Sequence, residues 1–243
     1  MFVSVNIPTL KELDYRFVYQ QWMSTTKQIR QQFGLMGTIS EKWNSWKQRR
    51  EQFQSLAGLY GNPARKYHTL QHIAEGLVDL QQATENAENP LALTLAWVYH
   101  DGVYDTLRRD NEEQSAALLE RDCAAFHFPD SFIEYAKDLV LLTEHFRSPP
   151  SSSSIDQEMM LDTDLAILGS SEKRFRQYCD DIQREYQWVV DQFGSELYCQ
   201  RRATVLSSFV ERSPLYHTLF FREKYEAKAK DNLEKEILRL VGE

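Results

Sequence analysis

Apolar residues recur at three- and four-residue spacing along most of the chain, and the residues that break such a pattern are scarce, with 9 Gly and 7 Pro in 243 positions. Period-two alternation and tight hairpin turns are missing, so the pattern predicts an all-α protein of about ten helices. The first two are expected over 10–33 and 40–60, parted by the Gly34–Gly37 turn, each carrying Trp and Phe on one side to cover the core. Gly61-Asn62-Pro63 stops the second, and a helix begins near Tyr67 with Ile73, Leu77 and Leu80 as its apolar stripe. Leu91 to Tyr99 has no charged position, as expected of a central helix buried on every side. Asp110 with Glu113 reads as an acidic capping box for a helix reaching Phe126, and Pro129-Asp130 opens another that ends near Phe146. Ser148 to Ser154 reads as a surface loop within one domain spanning 1–243, whose motif-bearing core covers about 61–192.

Charge narrows the partners. With 36 acidic against 28 basic side chains the formal net charge is -8, and no basic run marks a footprint for duplex nucleic acid. A small phosphorylated substrate is still compatible with this charge if a cation or a few local arginines neutralise it. The N-terminus becomes charged at Lys11 and the apolar stretch Leu91 to Tyr99 is too short to span a bilayer, so a cytoplasmic chain without a membrane partner is expected. Cys123, Cys179 and Cys199 show no CxxC spacing and read as ordinary free thiols.

Three constellations carry chemistry. His68 and His72 lie four residues apart on an expected helix, which places both imidazoles on one face, and Gly76 on that face leaves room for an approaching group. The uncharged helix ends in His100-Asp101, which sets an imidazole and a carboxylate at the edge of a dry core. A helix-terminal His is favourable with the macrodipole, but Asp101 stands at the wrong end of that dipole and needs a partner or a cation. In Leu161 to Gly169 (LDTDLAILG), Asp162 and Asp164 interrupt apolar residues; one fits a helix cap, and two suggest that a carboxylate is held inward for a ligand.

The order His72, His100-Asp101 and then an Asp about sixty residues later resembles the H…HD…D pattern of the HD superfamily, whose members chelate a divalent metal with those residues. The strings RKYHTLQHI, AWVYHDGVYD, DNEEQSA and LDTDLAILG, between Arg65 and Gly169, are similar to those of a bacterial family predicted to be metal-dependent HD phosphohydrolases. The resemblance implies an all-helical HD bundle with His72, His100 and Asp101 as metal ligands and a fourth ligand at Asp162 or Asp164. Asp162 is favoured, because flanking apolar residues then pack around a single inward carboxylate and leave Asp164 as a support or substitute. His68 is expected to bind a second metal, contact substrate or donate a proton; Asp105 or Glu112 is expected to assist the attacking water; Arg65 and His145 are candidates for substrate contact. The implied activity is metal-assisted hydrolysis of a nucleotide or other small phosphomonoester, using Mn²⁺, Fe²⁺, Co²⁺, Ni²⁺, Zn²⁺ or Mg²⁺. The alternative is a non-catalytic HD module that binds a metal or nucleotide.

Overall fold

The computed structural model describes residues 10–83, 86–144 and 153–242. Among them eleven α-helices follow in order: α1 (Leu10–Gln32), α2 (Ile39–Tyr60), α3 (Leu70–Ala83), α4 (Pro90–Tyr99), α5 (Asn111–Ala125), α6 (Asp130–Leu141), α7 (Ile155–Leu165), α8 (Glu172–Glu185), α9 (Gln187–Phe193), α10 (Ser195–Val210) and α11 (Leu219–Val241). The described residues contain no strand, as the spacing predicts, and none of these helices is long and apolar enough to cross a membrane.

The uncharged run is the central helix. Asn89 caps α4 by accepting from the Ala92 amide at 3.1 Å, Pro90 supplies the first-turn residue that lacks a donor, and Leu95 to Tyr99 are all buried. α4 packs against α1, α3, α5, α6 and α7, so it meets neighbours on every side. It packs tightly on α3, where a Cβ on Gly76 would lie 2.1 Å from the Trp97 indole. The room at Gly76 is therefore filled by Trp97 and not by a ligand, and the indole Nε1 donates to the Ile73 carbonyl at 2.9 Å. This contact draws α3 alongside the end of α4, bringing His72 next to His100.

α1 and α2 cover one side of this core through a cluster of rings in which Trp22 meets Phe53 and Phe126. α7 fastens the other side. Ser154 and Gln157 form its capping box, and the fully buried Asp156 accepts from the Glu88 and Asn89 amides at 2.8 Å and from the Tyr135 hydroxyl at 2.9 Å. That carboxylate joins the start of α4 and the middle of α6 to α7. α11 packs on α10 and on a short 3-10 turn, Ala166–Gly169, that follows α7.

Two boundaries and one cap differ from expectation. α3 starts at Leu70, because the amides of Lys66, Tyr67 and His68 converge on Glu185 Oε1 at 2.6, 2.9 and 3.1 Å and hold the chain in a turn ahead of the helix. His68 and His72 are therefore not two positions of one helix. Asp110 does precede α5, but its carboxylate is taken by Arg108 and Gln114 and it makes no capping bond. α6 ends at Leu141, well before Phe146.

Candidate metal centre

Four side chains from three helices converge beneath a cleft. His72 comes from the first turn of α3, His100 is the residue that ends α4, Asp101 follows it, and Asp164 lies in the last turn of α7. The Nε2 atoms of His72 and His100 are 3.2 Å apart. Asp101 Oδ2 is 3.1 Å from His100 Nε2 and 3.6 Å from His72 Nε2, while Asp164 Oδ1 is 3.3 Å from His72 Nε2 and 3.6 Å from His100 Nε2. His72, His100 and Asp101 each offer a ligand atom within 4.8 Å of the others, a cluster able to hold a metal ion.

The other ring nitrogens support this reading. His100 Nδ1 lies 2.8 Å from the Trp97 carbonyl, which can only accept, so the proton belongs on Nδ1 and the neutral ring presents a lone pair from Nε2. His72 Nδ1 is held by the Tyr67 hydroxyl at 3.0 Å. Two imidazoles fixed through Nδ1, with Nε2 atoms facing each other and two carboxylates, form a donor set that fits a divalent cation with nitrogen and oxygen preferences. Without a cation a proton must serve. Burial of His100 works against its charge, but the Asp101 and Asp164 carboxylates outweigh this and push its pKa well above the imidazole range. Burial likewise opposes the charge on Asp101, and His100, His68 and His72 together hold its carboxyl below the usual range.

The fourth side chain of the cluster is Asp164, and the preference for Asp162 is overturned. Both fall inside α7, where residues two apart point about 200° away from each other, so one helix cannot turn both toward the same ion. Asp162 is fully buried on the opposite side and accepts from the His217 amide at 2.8 Å, the Thr218 amide at 2.7 Å and the Thr218 hydroxyl at 2.8 Å. It caps no turn of its own helix but holds the two residues that lead into α11, 55 and 56 positions away.

The ligands face outward unequally. The imidazoles of His72 and His100 are 4% and 1% exposed, whereas the Asp101 and Asp164 side chains retain 17% and 12%. Both carboxylates line a cleft of about 720 Å³ that runs from the centre to α9 and α10. His68 lines it too. Its Nδ1 lies 2.6 Å from Glu185 Oε2, and its ring stacks on Tyr104 with centroids 3.9 Å apart. Burial disfavours the charged ring, but Glu185, with Asp101 and Asp164 behind it, holds the His68 pKa above the ordinary value. Glu112 is half-buried at the same cleft, and burial, with Asp101 nearby, raises its carboxyl pKa.

Two other expected site residues belong to the scaffold. Arg65 is buried between Tyr60 and Tyr104, and its Nη atoms donate to the Asp101 carbonyl at 2.6 Å, the Gly102 carbonyl at 3.0 Å and the His68 carbonyl at 3.4 Å. It joins the His68 turn to the His100-Asp101 turn and is not a phosphate clamp. Asp105 is exposed, does not line the cleft, and accepts from the Leu107 amide at 2.9 Å in a local turn. His145 lies outside the described residues.

Sequence reading missed Tyr104 and Glu185, and offered Tyr67 only as a residue of a binding cleft and not as the partner of His72. Tyr67 was visible as the residue before His68 in the same string; Glu185 is 117 residues from His68 and carries no local signal. No known protein-family model, no curated protein and no solved structure matches the chain.

Proposed function

We propose that this protein is a metal-dependent phosphohydrolase of the HD superfamily, acting on a nucleotide or other small phosphate ester. The observation that carries the reading is the convergence of two Nδ1-anchored imidazoles and two carboxylates, with the carboxylates opening onto a cleft that also holds a His-Glu pair and a half-buried Glu. A closed structural site would bury all its ligands, whereas a catalytic one keeps a side open to substrate.

His72, His100, Asp101 and Asp164 would hold the ion, one of Mn²⁺, Fe²⁺, Co²⁺, Ni²⁺, Zn²⁺ or Mg²⁺. Such a cation supplies a Lewis acid for a phosphoryl oxygen and lowers the pKa of a bound water toward neutrality. The remaining work falls to the chain. Glu112, with its pKa raised toward the working range, accepts a proton from the attacking water. His68, whose pKa Glu185 raises against the opposing effect of burial, donates a proton to the departing oxygen. Tyr67 and the Trp97 carbonyl fix the imidazole orientations, and Arg65 sets the spacing of the two turns.

The test is to load the purified protein with each candidate metal and measure phosphate release from a panel of phosphomonoesters and nucleotides. Turnover that disappears on chelation and returns with metal supports the reading. Stoichiometric metal binding with no release from any ester would instead favour a metal- or nucleotide-binding HD module.

A further inference from the structure

The cleft above the candidate metal centre is lined by the carboxylates of Asp101, Glu112, Glu144 and Asp164 at one end and by a group of arginines. In a chain of net charge -8, the basic residues lining it, apart from His68, are Arg108, Arg109, Arg201, Arg202 and Arg212, with no lysine among them. Two are engaged: Arg108 pairs with Asp110 at 2.6 Å, and Arg202 donates to the Tyr178 hydroxyl at 2.7 Å. Arg109, Arg201 and Arg212 are exposed, and none makes an ion pair with a carboxylate among the described residues. Arg212 only covers the Phe209 ring, at 4.8 Å.

Their placement is ordered. Tyr198, Arg201, Arg202, Val205 and Phe209 all line the cleft at three- and four-residue steps, so one face of α10 is turned toward it and Arg212 continues that face just past the helix end. Arg109 lines the same cleft from the loop before α5. A guanidinium presents a planar fork that matches phosphate oxygens in pairs, which an ammonium does not. Mutually repelling arginines without acidic partners are stabilised only by an anion or by water.

We infer that the ligand of this cleft carries two or more linked phosphates, with one at the metal centre and the next held between Arg109 and the α10 arginines. The location of the first phosphate rests on the phosphohydrolase reading; the location of the second rests on the arginines.

The test uses the full-length, metal-loaded chain and ligands that cannot be hydrolysed. Calorimetry compares methylphosphonate with methylenediphosphonate on the wild type and on an R201Q/R212Q double variant, whose exposed positions leave the core intact; circular dichroism checks that it is folded. The diphosphonate should bind at least about tenfold more tightly to the wild type, roughly the scale of one charge-assisted pair, and the preference should fall below about threefold in the double variant. Equal affinity for both ligands in the wild type, or a preference unchanged in the double variant, would overturn the inference. An α,β-methylene nucleoside diphosphate separates two sources of linked phosphates, each consistent with it: tighter binding than methylenediphosphonate indicates a base on the wall formed by Tyr104, Tyr186 and Trp188, and equal binding indicates an inorganic polyphosphate. p-Nitrophenyl phosphate distinguishes the two failures. No phosphate release alongside arginine-dependent binding sinks the hydrolase reading alone, and release without diphosphonate preference sinks only the inference drawn here.

Discussion

The two sides of α7 spend similar carboxylates on opposite purposes. Asp162 faces α11, is fully buried, and has each of its oxygens engaged by a hydrogen-bond donor of the chain. Asp164 faces the imidazoles at 3.3 and 3.6 Å and keeps a margin of exposure toward the cleft. The first is saturated by its own chain, as is Asp156 six residues earlier, while the second meets two rings held through their Nδ1 atoms with Nε2 facing inward. A carboxylate saturated by buried donors stabilises a fold, and one set between two imidazoles at the edge of a cleft is placed to serve a ligand.

The sharpest way to break this contrast is metal analysis. D164A and H100A should lose the ion and all turnover, while wild type retains about one to two equivalents of metal, within the range of one- and two-metal sites. Inductively coupled plasma spectrometry of the folded variants decides it; D164A with full metal content would place the fourth ligand elsewhere. D162A should do the reverse. It keeps the metal but strands two backbone amides and a hydroxyl in the interior, at a cost of about 3 kcal/mol and a fall in Tm of roughly 10 °C. A folded D162A that has lost its metal would dissolve the distinction between the two faces.

Between these extremes stand the assisting groups. E112Q and H68Q should retain the ion yet turn over about 10²-fold more slowly, the scale of a lost general acid or base. Wild-type kcat in both would send the search for the proton carriers elsewhere in the cleft. The His68–Glu185 pair also makes a pH prediction for the metal-free protein. The His68 pKa is raised, so its stabilisation is complete below the unfolded value of about 6.5 and is lost as pH rises through the folded value. The Glu185 pKa is lowered against the burial that opposes its charge, so its contribution is complete above about 4.3 and is lost as pH falls through the folded value. The Tm difference between wild type and E185Q should therefore be largest near pH 5 to 6 and shrink toward pH 9; a difference that grows toward pH 9 contradicts the pairing. The smallest effect is expected at D105N, where an exposed turn carboxylate should leave kcat unchanged and stability within about 0.5 kcal/mol.

How much of this was legible beforehand follows the range of the interactions. The helical class and the buried α4 were readable, because each rests on spacing within a short segment, whereas the grouping of His72 with His100-Asp101, 28 residues apart, rested on the resemblance to the HD pattern. The choice between Asp162 and Asp164 was not, since it depends on which side of α7 meets α11, a contact 56 residues away in the chain. Arg65 is a natural candidate for substrate contact because a guanidinium matches phosphate oxygens in pairs; its actual partners are carbonyls 36 and 37 positions further on. His68 was placed on a helix because the pattern of α3 extends backward into its turn, and only Glu185 stops the helix from following it.

The carboxylate of Glu185 has a consequence for the order in which this protein acquires its abilities. As the chain leaves the ribosome, His72, His100, Asp101 and Asp164 have all been made before Glu185, the last residue of α8. A nascent chain that has reached α7 therefore carries the four side chains of the ion site, but the turn that holds His68 has nothing to gather its three amides. Synthesis separates the assembly of the four clustered side chains from the positioning of the His68 imidazole, and the second waits for α8.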